Sequence, residues 1–238
     1  MREIFNGIVD VLAVGLGTFH SVTGSYLAAI VLLTVAIRLL LHPLTRKQLR
    51  SMKAMQALAP QVEVLRRKYK DDPRQLNVEI MSLYRANNAN PLGGCLPLLL
   101  QLPILYALFD LLRRPNAFGG EQLFGVALET PVTFQMVLGH PGLLLVPVLV
   151  GLTTYWQQSL TITDPQQARM FIIMPFFIAY TSVAGWFPLG LSIYWTISTV
   201  VYIVEYYLVV GPPRPPRVAP PRERRSAKAR SAGPKEAP

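Results

Sequence analysis

Residues 26–44, YLAAIVLLTVAIRLLLHPL, make an apolar run long enough to cross a bilayer, yet they carry a full positive charge at Arg38. A spanning helix takes roughly 20 mostly apolar residues, and an arginine inside one costs on the order of 2.5–3.5 kcal/mol even on insertion-derived scales. Two readings account for the charge. Pro43 predicts the end of the helix, so the arginine stem could snorkel to headgroups about one and a half turns away. Alternatively, Arg38 faces a wet cavity. Charge alone leaves these even; the neighbours tilt the balance. Thr34 and His42 lie four residues before and after Arg38, which stacks all three on one helix face. Residues 27–33 have no such stripe. A face polar only toward one end predicts a cavity open to one side of the membrane and closed to the other.

The rest of the composition agrees with a membrane chain. It has 238 residues, 51% hydrophobic, with mean hydropathy +0.34, which predicts a small polytopic all-α membrane protein. The net charge of +10 is concentrated in two polar segments and so speaks of topology and anionic partners. A single cysteine, Cys95, excludes an intramolecular disulfide and multi-cysteine metal sites.

Residues 1–24 space Phe5, Ile8, Leu12 and Phe19 near helical period among polar residues, as an interfacial helix outside the membrane does. A signal peptide is the rival reading, but Asp10 interrupts the apolar stretch and no small-x-small site precedes Tyr26. After the first span, residues 25–44, the segment 45–90 holds ten basic residues against four acidic and is expected in the cytoplasm. Its apolar positions recur at three and four on both sides of Asp72-Pro73, an N-cap and first helical residue. That predicts an antiparallel helical hairpin, with Pro60 kinking or interrupting its first arm.

Residues 91–210 hold four further spans. The second, 92–112, carries Gln101 near its middle, either as interhelical glue or as a cavity residue; Asp110, Arg113 and Arg114 close it. The loop 115–141 contains Glu121 and Glu129 and no lysine or arginine, as an external loop does. The third span, 142–160, turns polar in its last turns, where Thr153 and Gln157 share a face at the depth of Arg38. The fourth is 170–187, with Trp186, Phe187 and Pro188 expected in an interfacial turn. The fifth, 189–210, aligns Ser192, Trp195, Thr199 and Tyr202; Glu205 near its inner end could snorkel, bind a helix neighbour or partner Arg38. The tail, 211–238, is rich in proline and arginine and is expected disordered and cytoplasmic. Five spans, N-terminus outside and C-terminus inside, satisfy every loop charge but Arg113 and Arg114.

Several stretches together carry a resemblance. AIRLLLHPLTRKQLRSMKAMQALAPQVEVLRRKY, NPLGGCLPLLLQLPILYALF, TDPQQARMFIIMPFF and WFPLGLSIYW resemble the bacterial YidC-type membrane protein insertases. The resemblance implies five helices around a hydrophilic groove open to the cytoplasm and lipid, with Arg38 as its central charge. By position, Thr34, Gln157 and Trp195 match groove-lining sites; Tyr202, on the semi-polar face of Trp195, is expected to line the groove with them, and Gln101 joins them if it faces the same cavity. The third and fifth spans would form a slide for the client helix. The implied partners are nascent membrane proteins, lipids, the ribosome through the basic tail and hairpin, and the Sec translocon; the implied location is the bacterial inner membrane. The chain departs from the pattern at Glu205 and Tyr206, where glutamines are usual, and at Thr199, where asparagine is common. Neither the large extracytoplasmic domain of Gram-negative relatives nor a lipobox cysteine is expected from the residues read.

Two other classes fit less well. The three histidines, His20, His42 and His140, belong to no HExxH, and the sequence holds no GxSxG or phosphate loop, so neither an enzyme nor a cofactor or metal is expected. A transporter is favoured by paired broken helices, and no internal repetition is evident.

Overall fold

Helix α2, Tyr26–Lys68, runs unbroken for 43 residues, about 65 Å at 1.5 Å per residue and twice the ~30 Å hydrocarbon core. Only its first half is apolar enough to lie in lipid. The computed structural model describes residues 2–87, 89, 96–112, 118–162 and 165–212. Cys95, Arg113, Arg114 and all but the first two residues of the tail fall outside these, so expectations there are not addressed.

The continuity of α2 corrects two expectations. Pro43 does not end the helix and Pro60 does not interrupt it; both lie inside one helix. An internal proline costs about 3 kcal/mol, but Leu49, Met52, Met55 and Leu58 between and around them are buried, and each such burial contributes roughly 1.5–3 kcal/mol. Both prolines sit on exposed positions, where the lost backbone bond meets solvent or headgroups rather than the core. Helix α3, Pro73–Ala86, follows, with Asp72 Oδ1 accepting from the N–H groups of Arg74 and Gln75 and Pro73 at the first turn. It packs against α2.

Helix α1, Arg2–Thr23, lies against α2 and α4, burying Val9, Leu12 and Leu16. The remaining helices are α4 (Leu96–Leu112), α5 (Phe134–Gly139), α6 (Leu145–Thr161), α7 (Pro165–Thr181) and α8 (Leu189–Val209). Among the described residues, three helical stretches have the length and apolarity to cross a membrane: α2, α6 with the 3-10 turn before it, and α8. The second and fourth expected spans correspond to 17-residue helices, α4 and α7. The fourth ends earlier than expected, because residues 184–188 form a strand rather than the end of a span and a turn.

That strand belongs to a cap over the end of the bundle where α2 and α8 begin, here the head. Strands β1 (Gln122–Leu123) and β2 (Val126–Ala127) pair antiparallel through a turn with Phe124 and Gly125 both at positive φ, a backbone shape that glycine adopts at no steric cost. Strand β3 (Pro131–Thr133) pairs antiparallel with β4 (Ala184–Pro188). The first N–H groups of α8 are then satisfied by the cap: Leu189 donates to the Thr130 carbonyl and Gly190 to the Leu128 carbonyl. At Gly190 a Cβ would stand 3.1 Å from Leu112 and 3.3 Å from the Leu128 carbonyl, so the approach needs glycine. The head core gathers Ile30, Leu108, Leu112, Phe118, Leu128 and Leu189. A second core at the foot joins Leu49, Met52, Met55 and Leu58 of α2 to Leu160, Tyr202, Ile203 and Tyr206.

Candidate functional site: a polar seam between α2 and α8

Helices α2 and α8 pack in parallel, with Ile30 beside Gly190, Arg38 beside Ser198, His42 beside Glu205 and Lys53 beside Val210. The four-residue spacing on α2 therefore meets a seven-residue spacing on α8, both of which keep one helix face. Thr34 is buried, its Oγ1 donating back to the Ile30 carbonyl at 2.6 Å. Arg38 is half-buried. Its Nε donates to Ser198 Oγ at 3.0 Å, and its guanidinium lies 5.8 Å from the centre of the Tyr202 ring, within cation–π range.

No carboxylate among the described residues forms an ion pair with Arg38. Glu205, whose partner the sequence left open, instead makes a 2.7 Å hydrogen bond to His42 Nδ1. An arginine held by a hydroxyl and a ring keeps its charge available to an incoming anion.

The other expected residues divide. Trp195 faces the neighbouring helix, its Nε1 donating to Thr154 Oγ1 of α6 at 3.0 Å. Gln101 of α4 donates to the Tyr194 hydroxyl at 2.7 Å, which is the interhelical bond that one of its two readings predicts. Tyr202 is buried in the foot core, its hydroxyl 3.8 Å from Met52 Sδ. Gln157 is half-buried on α6, one turn from Thr153, which bonds back to the Leu149 carbonyl. Arg38, Tyr202 and Thr34 thus lie along the facing sides of α2 and α8, whereas Trp195 points from α8 toward α6 and Gln101 reaches α8 from the α4 side.

Sequence reasoning missed Ser198, Tyr194 and Thr154. The signal was present for two of them: Tyr194, Ser198 and Tyr202 recur every four residues on α8, a stripe as regular as that on α2. Thr154 was passed over for Thr153, yet Thr154 is the buried one. At the foot, Gln56 Nε2 donates to the Leu160 carbonyl and Lys53 Nζ to the Val210 carbonyl, so α2 caps the last turns of both α6 and α8.

A family model described as 60Kd inner membrane protein matches residues 18–212. The membrane protein insertase YidC of Fusobacterium nucleatum is 35% identical over 212 residues, covering 88% of this chain and 98% of that one. The chain belongs to the YidC family. The Helicobacter pylori YidC is 32% identical over 225 residues, but there the match covers only 39% of the relative's length, so this chain spans nearly all of one YidC and well under half of another. A solved structure, described as an active YidC insertase with the first transmembrane domain resolved, superimposes with a TM-score of 0.65 at 31% identity. That match covers 86% of this chain and 46% of that one. YidC proteins of this family are membrane proteins, and the apolar helices of this chain agree with that location.

Proposed function

We propose that the protein is a membrane insertase that draws the polar tail of a client protein along the seam at Arg38 and releases the client's hydrophobic segment into the bilayer. The observation that carries this reading is an arginine in the membrane half of α2 whose guanidinium is held by Ser198 and Tyr202 rather than by a carboxylate. Moving a polar or acidic tail across hydrocarbon is the costly step. A seam polar from Thr34 to Glu205 shortens the apolar barrier, and a charge at partial burial attracts an acidic tail more strongly than it would in water. The apolar segment then follows α6 and α8. Both present exposed apolar side chains, including Leu149, Leu152 and Trp156 on α6 and Val200, Val204 and Leu208 on α8. Burial of client surface in lipid supplies the free energy, so no nucleotide hydrolysis is invoked.

In this reading residues 1–24 lie at the outer interface, α2, α4, α6, α7 and α8 cross the membrane, and the α2 extension with α3 forms the cytoplasmic hairpin. Its basic surface, with the arginine-rich tail 211–238, docks nascent chains by contacting ribosomal phosphates. Action beside the Sec translocon belongs to the same reading. Purified protein in liposomes without nucleotide should insert a short single-span client to a protease-protected product. Liposomes with the protein doing no better than empty ones would refute the function.

A further inference from the structure

Glu205 stands on α8 seven residues beyond Ser198, roughly 10 Å nearer the foot on the same face. It is 6% exposed, yet only one of its oxygens is partnered. Oε1 is bonded to His42 Nδ1 at 2.7 Å, while Oε2 is buried without a hydrogen-bond partner among the described residues. A buried carboxylate left half-satisfied is costly and calls for a donor. Two cations that α2 turns toward α8 are engaged elsewhere: Arg38 donates to Ser198, and Lys53 to the Val210 carbonyl. The side chain of His42, the hydrogen-bond partner of Oε1, is in contrast 39% exposed, so the carboxylate's one partner lies at the edge of the bundle.

We propose that Glu205 is a docking point for a basic side chain, a lysine or arginine that follows the client's hydrophobic segment on its cytoplasmic side. This rests on the insertase reading above. The seam then carries two opposite charges in series, Arg38 deeper and Glu205 nearer the foot. A client whose leading tail is acidic and whose trailing flank is basic meets a complement at both. Basic flanks remain cytoplasmic in membrane proteins generally, and Glu205 gives this chain a group that reads them. His42 holds the carboxylate in place between clients and gives way to the stronger, charge-assisted donor. Such pairing acts mainly on selection between clients.

The test uses full-length protein in phosphatidylcholine vesicles, so that anionic lipid does not compete. Single-span clients identical except for lysine or alanine at the cytoplasmic flank are compared as an insertion ratio within each protein. The parent should favour lysine by about fivefold, a range reached by a single charge pair. In Glu205→Gln the ratio should fall to near one, and Glu205→Asp and His42→Gln should retain a preference. An unchanged ratio in Glu205→Gln overturns this inference alone. Background insertion of both clients by the parent overturns the insertase reading and this inference with it. A second measurement needs no variant: carbodiimide added during insertion condenses the client lysine amine with an adjacent carboxylate, with loss of water. An adduct mapped to Glu205 by mass spectrometry supports the docking point; adducts mapped only to other carboxylates overturn it.

Discussion

Glu121 shows how one side chain holds the head cap onto the bundle. Its carboxylate accepts from Ser25 Oγ at 2.7 Å, from the Tyr26 N–H and from the Leu27 N–H at 3.3 Å, while Ser25 takes the Ala28 N–H through Oγ and the Ala29 N–H through its carbonyl. The orphan N–H groups of Tyr26, Leu27 and Ala28 at the start of α2 are thereby satisfied, and Ala29 makes the first intrahelical bond. Burial alone would raise the Glu121 pKa, but the hydrogen bonds from Ser25, Tyr26 and Leu27 and the proximity of His20 outweigh it and hold the group below its usual value. Because the folded pKa is depressed, this stabilisation is fully present above the ordinary carboxylate range and is lost as pH falls through the folded value. Glu121→Gln should cost about 0.5–2 kcal/mol of stability for a lost helix-start contact, read as a lowered thermal midpoint in detergent at neutral pH. The deficit should vanish in acid; a deficit equal at both pH values would deny the carboxylate this role. The outer loop was legible in the sequence only as an acidic segment. That Glu121 reaches 95 residues back to Tyr26 has no local signature, because such a contact is set by the packing of α1, α2 and the cap. The Thr34, Arg38 and His42 face was legible, since helical period depends on the backbone alone.

At the scale of elements, α2 departs most from what its sequence suggests. Proline reports on local backbone, whereas the helix continues because its foot half is clamped between α3 and the ends of α6 and α8. Sequence patterns show the Met52, Met55 and Leu58 stripe but not what it packs against, and so cannot weigh packing against proline. Asp72-Pro73, by contrast, was legible, being a cap whose bonds close within three residues. Since Pro43 lies within a continuous helix, Pro43→Ala should leave insertion intact and keep or raise the thermal midpoint. A fall in midpoint would mean that the proline is required for a break or bend in α2. Leu49 is fully buried in the foot core, so Leu49→Ala should cost about 2–5 kcal/mol, measured as a lowered midpoint with the topology unchanged.

For the whole molecule, the proposed function takes its orientation from the basic segments, which the positive-inside rule puts in the cytoplasm together with the foot of the bundle. Cysteines placed singly at Lys70 and Glu121, with Cys95 replaced, should differ: Glu121→Cys should react with an impermeant thiol reagent added from outside, and Lys70→Cys should resist it. Labelling of Lys70→Cys from outside would invert the molecule. With that orientation, the cap at the head, the two cores and the parallel α2 and α8 leave a seam in which Arg38 is turned toward α8 and, among the described residues, held without an ion pair. The central claim is that this charge acts on the client's tail. Two single-span clients differing only in an acidic or neutral tail, inserted into vesicles by the parent, by Arg38→Lys and by Arg38→Ala, test it most directly. Arg38→Lys should largely retain insertion of both, and Arg38→Ala should impair the acidic-tailed client severalfold more than the neutral one, consistent with one lost charge pair at partial burial. Equal insertion of both clients by Arg38→Ala and by the parent would contradict the account and leave Arg38 as a residue that snorkels to the headgroups.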